Sequence, residues 1–249
     1  MSEKIVGINP VMEALSSGSP QIEKILIAQG NENRRIREII DAATWKGIPF
    51  QRSPRHLLDR LIDRQDPNHQ GVIAFIRVFQ YSDLSIILKK VQNKKDAPPV
   101  LLMLDQIQDP RNLGAIIRTA NAVEADGVII PKNNAAEITA SVHKASAGST
   151  AFTPISKVTN LAQTIEQLQS VGIWVVGTAD DAETCYTSAD YTVPLCIVLG
   201  NEGSGIRRLV KQKCDYLVHL PMLGQISSLN VSVTAGVLLY EVLRQRGTK

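Results

Sequence analysis

The sequence is poor in aromatic residues and in cysteine. Aromatic residues make up 4% of its 249 residues against a hydrophobic share of 44%, so we expect an aliphatic core. The three cysteines, Cys185, Cys196 and Cys214, are widely spaced and show no metal-ligand pattern. An odd, scattered set of this kind predicts reduced core or surface thiols and neither a disulfide framework nor a metal site.

Targeting and membrane signals are also missing from the sequence. The first ten residues, MSEKIVGINP, contain no apolar segment of the secretory type. No apolar run approaches the roughly 20 residues that a membrane-spanning helix needs. We find neither an internal repeat nor a low-complexity tract. These absences predict a soluble, cytoplasmic protein without a membrane partner.

Positive charge is concentrated in the N-terminal part of the chain. Residues 1–98 carry 15 Lys+Arg against 11 Asp+Glu, whereas residues 99–249 carry 12 against 13. A basic excess favours an acidic partner, and RNA is the partner that we expect. The arginines concerned form either a solvated face or an RNA contact: Arg34, Arg35, Arg37, Arg52, Arg55, Arg60 and Arg64.

The N-terminal segment has the pattern of a small α/β module, predicted over residues 1–79. Short apolar runs alternate there with amphipathic patterns. The predicted elements, in order, are strand Ile22–Ile27, helix Asn33–Trp45, strand Gly47–Phe50, helix Pro54–Ile62 and strand Gly71–Phe79. His69 follows the turn Asp66-Pro67-Asn68, where we expect a surface residue or a hydrogen-bond donor to a phosphate or ribose.

Residues 80–99 are predicted to be a linker that contains one short helix, Tyr81–Val91, and ends in the polar, proline-terminated stretch QNKKDAPP. After it, strands and helices alternate, which is typical of an open, mostly parallel sheet with helices on both faces. The predicted strands are Val100–Leu104, Gly127–Ile130, Ile173–Thr178, Leu195–Leu199 and Tyr216–Leu220. The predicted helices are Asn112–Val123, Ala135–Gly148, Thr159–Val171, Ser204–Val210 and Val231–Arg246.

Three loops that follow predicted strands concentrate glycine and polar residues. They are DPRNLG at 109–114, GNEGSG at 200–205 and PMLGQISSLN at 221–230. Three glycines within six residues permit close approach of the backbone to a ligand. The order G-x-x-G-x-G differs from the dinucleotide-binding fingerprint G-x-G-x-x-G. Ligands of such sheets bind at the carboxyl ends of strands, so these loops are the candidate site.

The segments PRNLGAIIRTANA, IVLGNEGSGI and LPMLGQISSLNVSVTAG resemble the three ordered motifs of the SpoU-type (TrmH-type) ribose 2′-O-methyltransferases, within the SPOUT class. The resemblance covers nearly all of Val100–Arg246. GINPVMEAL and HQGVIA resemble the family's domain that binds ribosomal RNA, whose fold is like ribosomal protein L30e.

The resemblance implies an α/β fold with two domains. A small L30e-like substrate-binding domain at 1–79 would precede a methyltransferase domain at 100–249, whose parallel sheet carries a C-terminal trefoil knot. It further implies S-adenosylmethionine as the cofactor, no metal, and a homodimer that completes the site. The sequence resembles in particular those family members that methylate the P-loop guanosine of 23S ribosomal RNA, near the peptidyl-transferase centre, which implies this nucleotide as the target.

Site residues are likewise implied by the resemblance. Backbone groups of Gly200, Leu220 and Leu229 would hold the cofactor, with Gly177 and Thr178 near it. The functional polar set carried over from the motifs is Asn112, Arg118, Glu202, Ser228 and Asn230.

Arg118 has two possible roles in such a site. The family proposal makes it the base that removes the proton of the ribose hydroxyl. Arginine is effectively always protonated in proteins, so a cation that stabilises the developing alkoxide and holds a backbone phosphate is the alternative. In that case the proton leaves to water, to phosphate or to Glu202.

Structural alternatives exist for the other polar residues. Asn112 is a candidate N-cap of its helix, and Glu202 a candidate cap of the helix near Ser204. Ser228 and Asn230 compete to cap the C-terminal helix, whose apolar body predicts packing, shared with a second subunit. His143 and His219 are interpreted as structural.

Two other functions fit the same residues. The first is the same methylation on another ribosomal RNA site or on tRNA. The second is a non-catalytic RNA-binding or ribosome-assembly factor that keeps the fold, although the motif residues are all present.

Overall fold

The computed structural model contains two compact units. The residues that it describes are 2–17, 22–30, 33–62, 69–77, 79–226 and 228–247. The first unit comprises Met1–Gln80 together with Thr139–Ser141, and the second comprises Tyr81–Ile138 together with Val142–Lys249. In the described part of the chain, no helix is long and apolar enough to span a bilayer.

The first unit is built on a four-stranded mixed sheet. Its strands are β1 (Ser2–Val6), β2 (Ile22–Ala28), β3 (Phe50–Ser53) and β4 (Val72–Arg77), and its helices are α1 (Ile8–Ser17), α2 (Arg34–Trp45) and α3 (Arg55–Asp59). The strand order is β1-β4-β2-β3, with β4 antiparallel to both neighbours and β3 parallel to β2. Aliphatic residues of α1, α2, β2 and β4 form its main core.

Local sequence explains the boundaries of α2. The side chain of Asn33 caps the helix by accepting a hydrogen bond from the Ile36 amide at 2.9 Å, and the helix buries Ile36, Ile39 and Ala43. Gly47, with φ of 65°, ends the helix in a turn. The predicted strand Gly47–Phe50 is therefore wrong in position, because the turn occupies its first residues and β3 starts at Phe50.

His69 is buried, with 1% of its surface exposed, so the expectation of a surface residue is wrong. Its Nε2 lies 2.9 Å from Oδ1 of Asp59, and its Nδ1 accepts a hydrogen bond from the Gly71 amide at 2.8 Å. Both ring nitrogens are thus used to fix the start of β4. Arg64 and the turn Asp66-Pro67-Asn68 lie outside the described residues.

The second unit contains a seven-stranded parallel sheet of order β7-β6-β5-β10-β8-β11-β9. Its strands are β5 (Val100–Leu104), β6 (Gly127–Pro131), β7 (Ile155–Val158), β8 (Trp174–Thr178), β9 (Thr184–Cys185), β10 (Leu195–Leu199) and β11 (Tyr216–His219). The helices after residue 80 are α4 (Leu84–Asn93), α5 (Pro110–Ala122), α6 (Ala140–Ala145), α7 (Leu161–Ser170), α8 (Arg208–Lys213) and α9 (Val231–Gln245). The parallel sheet with alternating helices agrees with the prediction.

The segment predicted as a linker belongs to the second unit, which begins at Tyr81. Its helix α4 buries Ile87 and Val91 in the core of that unit. Lys94, just after α4, forms an ion pair with Asp126 at 2.8 Å. The segment was predicted as a linker because the sequence shows the amphipathic pattern of α4 but not the core against which its apolar face packs.

Three helix predictions in the second unit need correction. Only Ala140–Ala145 of the predicted Ala135–Gly148 is helical. The predicted Ser204–Val210 helix is wrong in position, because Gly205 adopts φ of 65° and α8 starts at Arg208. Asp109, and not Asn112, caps α5 by accepting from the Arg111 amide at 2.7 Å.

Strand order brings the candidate loops to one edge of the sheet. Strands β5, β10, β8 and β11 are consecutive neighbours and parallel, so their carboxyl ends meet. The segment after β11 then leads into α9, which packs on α5. The trefoil knot implied for this C-terminal segment stays a prediction.

Candidate active site

A cavity of about 380 Å³ lies at the carboxyl ends of β8, β10 and β11. Most of its lining comes from residues 178–181, 199–206, 218–220 and 228–229 at the ends of those strands and in the segments that follow them, and Lys211, Met222, Val231 and Thr234 complete it. The volume lies within the range of small-molecule sites. The carboxyl ends of the strands, where the sequence pattern placed the candidate site, therefore border a cavity.

Four of the five residues expected to hold a cofactor line this cavity: Thr178, Gly200, Leu220 and Leu229. The fifth, Gly177, does not. A Cβ on Gly177 would lie 2.7 Å from Cδ2 of Leu217 and 2.9 Å from Sγ of Cys214, so its missing side chain makes room for packing.

Gly200 is required by close approach of two backbone segments. A Cβ there would lie 2.1 Å from the carbonyl carbon of Gly205 and 2.2 Å from the amide nitrogen of Ile206. The Asn201 and Gly205 backbones are hydrogen-bonded to each other in both directions, at 3.1 and 2.8 Å. The loop thus folds back on its own first residue, and its glycines Gly200, Gly203 and Gly205 line the cavity.

A buried carboxylate anchors the far end of the same loop. Asp105, at the end of β5, is fully buried and accepts hydrogen bonds from the backbone amide and Nε of Arg207, both at 2.8 Å. Asn201 adds a bond from its Nδ2 to the carbonyl of Gln106 at 3.2 Å. Both contacts tie the loop after β10 to the end of β5.

Side chains from all three motif loops meet in one hydrogen-bonded chain. Nδ2 of Asn112 donates to Oε1 of Glu202, and Nδ2 of Asn230 donates to Oδ1 of Asn112 at 3.0 Å. Oδ1 of Asn230 in turn accepts from the Ser232 amide at 2.9 Å. Asn230 therefore caps α9, which decides between the two cap candidates. Ser228 and Glu202 line the cavity.

The start of α8 at Arg208 removes the alternative that Glu202 caps a helix near Ser204. Because Asp109 caps α5, the side chain of Asn112 is likewise available for its two contacts. Neither Glu202 nor Asn112 therefore caps a helix, and the hydrogen bond between them joins their two loops.

Arg118 is not brought to this cavity. It lies on α5, exposed, six residues after Asn112, or about 9 Å along the helix at 1.5 Å per residue. Within the described part of the chain, its guanidinium makes neither a hydrogen bond nor an ion pair.

The sequence interpretation missed several polar residues that line the cavity: Asp180, Asp181, Lys211 and His219. Lys211 donates to Oδ1 of Asp181 at 2.5 Å, and this bond lowers the pKa of the Asp181 carboxyl. Asp180 and Asp181 come two and three residues after the predicted strand Ile173–Thr178, which is the signal that could have found them. No cluster of three metal-ligating side chains occurs among the residues described.

Sequence profiles of two families match the chain. The SpoU rRNA Methylase family matches residues 99–240, and the domain family described as RNA 2′-O ribose methyltransferase substrate binding matches residues 4–82. YacO of Bacillus subtilis, assigned to the TrmH family of tRNA/rRNA methyltransferases, is 43% identical over 242 residues, 97% of this chain and 95% of YacO.

Two solved structures are similar over much of the chain. The SpoU methyltransferase AviRb from Streptomyces viridochromogenes, in complex with the cofactor AdoMet, has a TM-score of 0.62 and 27% identity, covering 98% of this chain and 90% of AviRb. The TrmH/SpoU tRNA modifying enzyme of A. aeolicus has a TM-score of 0.55 and 29% identity, covering 66% of this chain and 84% of that enzyme. The matched profiles, the relative and the fold agree with the three motif loops, and the chain belongs to the SpoU (TrmH) family of RNA methyltransferases.

Proposed function

We propose that this protein uses S-adenosylmethionine to methylate a ribose 2′-hydroxyl of RNA, acting in the cytoplasm as a homodimer. More specifically, we propose the activity of the bacterial 23S rRNA guanosine-2′-O-methyltransferase RlmB, whose target would be the P-loop guanosine near the peptidyl-transferase centre. The observation that carries the proposal is the chain of hydrogen bonds from Glu202 through Asn112 to Asn230, beside a cofactor-sized cavity.

The cavity suits a nucleoside-containing cofactor. Gly200 brings backbone groups to the wall, while Leu220 and Leu229 add apolar surface for the faces of a purine. Backbone donors and acceptors match the two kinds of polar atom on an adenine edge. When bound, S-adenosylmethionine supplies a methyl group on a positively charged sulfur.

The motif residues then position the acceptor. Asn112 is held by bonds to two other motif loops, so it orients Glu202 and Asn230 relative to each other. Such positioning supplies several kcal/mol of barrier reduction without a covalent intermediate. Oε2 of Glu202 makes no hydrogen bond within the described residues. It is therefore free to accept the proton of the 2′-hydroxyl.

The position of Arg118 supports a site completed by a second copy of the chain. Arg118 is exposed and does not line the cavity of its own chain. Val233 and Tyr240 on α9 are 49% and 57% exposed although the helix is apolar, which is expected of a face that packs against a partner. In the partner's site, the Arg118 cation stabilises the developing alkoxide and holds a phosphate.

Mixed dimers test this arrangement. Arg118→Ala and Gly200→Ala chains are each expected to be inactive, the first for lack of the cation and the second for lack of the cofactor. Co-expressed, they form some dimers in which one site has both an intact cavity and the partner's arginine. We expect about a quarter of wild-type methylation in the mixture. A mixture as inactive as its components would contradict the exchange of Arg118 between subunits.

The RNA is proposed to bind through the first unit, whose profile match is to a substrate-binding domain. Exposed arginines on this unit favour a phosphate-rich partner. Six of the seven arginines singled out in the sequence are exposed: Arg34, Arg35, Arg37, Arg52, Arg55 and Arg60.

One experiment tests the substrate and the activity together. Methylation sites of 23S rRNA and tRNA are mapped in a strain without the gene and in strains that express the wild type, Arg118→Ala or Arg208→Ala. We expect one methyl to be missing at the P-loop guanosine, and to be restored by the wild type and by Arg208→Ala but not by Arg118→Ala. Loss of a tRNA methyl instead would identify tRNA as the substrate in place of 23S rRNA. An unchanged methylation pattern would favour the non-catalytic RNA-binding function.

A further inference from the structure

Asn201 is the second residue of the loop after β10, and both polar atoms of its side-chain amide are hydrogen-bonded. Its Oδ1 accepts from the backbone amides of Gly203 at 2.9 Å and Ser204 at 3.3 Å. Its Nδ2 donates to the carbonyl of Gln106 at 3.2 Å. One side chain therefore closes the turn of its own loop and also attaches that turn to the end of β5.

The residue that accepts this bond has an unfavourable backbone conformation. Gln106 adopts φ of 64°, in the left-handed region that is costly for a residue with a Cβ. Such a conformation persists only where the surrounding contacts determine it. The carbonyl of Gln106 binds Asn201, and the preceding Asp105 carboxylate binds Arg207 beyond the other end of the same loop. Two consecutive residues at the end of β5 thus hold the loop at both of its ends.

Glu202 lies inside the segment that these contacts hold. It follows Asn201 directly, and its Oε1 accepts a hydrogen bond from Nδ2 of Asn112. Three of the six residues from 200 to 205 are glycines, which lose more conformational entropy on ordering than other residues. The hydrogen bonds of the Asn201 side chain oppose that flexibility. The position of Glu202 therefore depends on the side chain that precedes it in the sequence.

We propose that Asn201 is a positioning residue for methyl transfer, which holds Glu202 in the place where it contacts Asn112. This inference rests on the proposed function. Asn201 acts through Glu202 and not on the reacting atoms, because both atoms of its amide are bonded within the protein. Its removal leaves the cavity surface of Leu220 and Leu229 in place. The effect therefore falls on the rate of the bound complex more than on cofactor affinity.

The test compares variants of the full-length protein. Asn201→Ala removes all three hydrogen bonds of the side chain. Asn201→Asp keeps the oxygen that accepts from the loop amides but lacks the donor to the Gln106 carbonyl. Asn133→Ala is the matched control, because Asn133 is exposed in the loop after β6 and does not line the cavity. Each Asn201 variant is also combined with Glu202→Ala, which gives a double-mutant cycle.

Three measurements separate the possible effects. Single-turnover methylation with saturating cofactor and RNA gives the rate of the bound complex. Calorimetry gives the affinity for S-adenosylmethionine, and thermal unfolding checks the fold.

We expect Asn201→Ala to lower the single-turnover rate about 30-fold, since a displacement of about 1 Å in an active site can cost about 100-fold. Affinity for S-adenosylmethionine should stay within about threefold of the wild type. Asn201→Asp should be at least as slow, because its carboxylate leaves the Gln106 carbonyl without a donor. Asn133→Ala should react like the wild type. In the Glu202→Ala background, Asn201→Ala should cost less than about twofold, because the side chain that it positions is absent.

A wild-type rate in Asn201→Ala would overturn the positioning role and leave the proposed function intact. The same fold loss with and without the Glu202 side chain would also overturn it, since Asn201 would then act on something else. A loss of cofactor affinity as large as the loss of rate would assign the Asn201 contacts to the cofactor site instead. If Asn201→Ala unfolds at a lower temperature, the cycle with Asn201→Asp, which keeps the turn, decides. A wild type that neither binds S-adenosylmethionine nor methylates RNA would overturn the proposed function and this inference together.

Discussion

Nδ2 of Asn230 donates a hydrogen bond to Oδ1 of Asn112 over 3.0 Å, joining the N-terminus of α9 to the first turn of α5. The same Asn230 side chain caps α9 through its oxygen. One residue therefore performs two tasks with two different atoms. The oxygen stabilises the helix, and the nitrogen holds Asn112 in the arrangement that reaches Glu202.

The two tasks of Asn230 can be separated by substitution. Asn230→Ala removes both atoms, so we expect a loss of about 1 kcal/mol in the free energy of unfolding, together with a fall in methylation of about 100-fold. Asn230→Ser keeps a capping oxygen but lacks the donor to Asn112. It should retain stability within a few tenths of a kcal/mol and lose activity to a similar extent. Urea unfolding and single-turnover methylation measure the two effects, and an active Asn230→Ser would show that the bond to Asn112 is unimportant.

Arg207→Ala is expected to destabilise the second unit by about 2 kcal/mol, because it leaves the fully buried Asp105 carboxylate with only the backbone amide as a partner. The cost lies below that of a fully buried pair, since the Arg207 side chain is 45% exposed. Urea unfolding checks the value. Arg208→Ala, a change to the exposed neighbouring arginine, should remain within about 0.5 kcal/mol of the wild type. Equal stability of both variants would argue against an anchoring role for Asp105.

Gly200→Ala should displace the loop after β10, because the added Cβ meets backbone atoms of Gly205 and Ile206 that cannot rotate away. Overpacking of this kind costs about 1–3 kcal/mol. We also expect affinity for S-adenosylmethionine to fall at least about tenfold, which calorimetry measures. Gly203→Ala is the control for stability, since its Cβ would lie 3.5 Å from Oδ1 of Asn201, an ordinary contact. If Gly200→Ala is as stable as Gly203→Ala and binds the cofactor normally, the close approach has no functional role.

The three cysteines should react with iodoacetamide at very different rates. A hydrogen bond with Thr187 lowers the pKa of Cys185, which increases the thiolate fraction at neutral pH. Burial raises the pKa of Cys214 to about 12 and also raises that of Cys196, so both stay protonated. Mass spectrometry of the native protein at pH 7 should find Cys185 modified first, and more slowly in Thr187→Val. Modification of Cys196 first would contradict the burial of that strand.

Much of the second unit was predictable because its signals are local. Strands β5 and β10 are continuous apolar runs, and each is fully buried as expected for inner parallel strands. The three motif loops were found by their glycines and polar residues, which a plain connection does not need. The boundaries that failed, at β3 and α8, were decided by turns with positive φ at Gly47 and Gly205, and glycine alone does not indicate which conformation it adopts.

By itself, the sequence determined the fold class, because hydrophobic period is a property of the chain in order, and its three ordered motifs carried the resemblance to the family and indicated the candidate site. Only the tertiary structure decided that Asn230 and not Ser228 caps α9 and that Asn112 links Glu202 to Asn230. These relationships join residues more than 100 positions apart in some cases. They depend on which strands become neighbours in the sheet, and no local pattern of residues specifies the order of the strands.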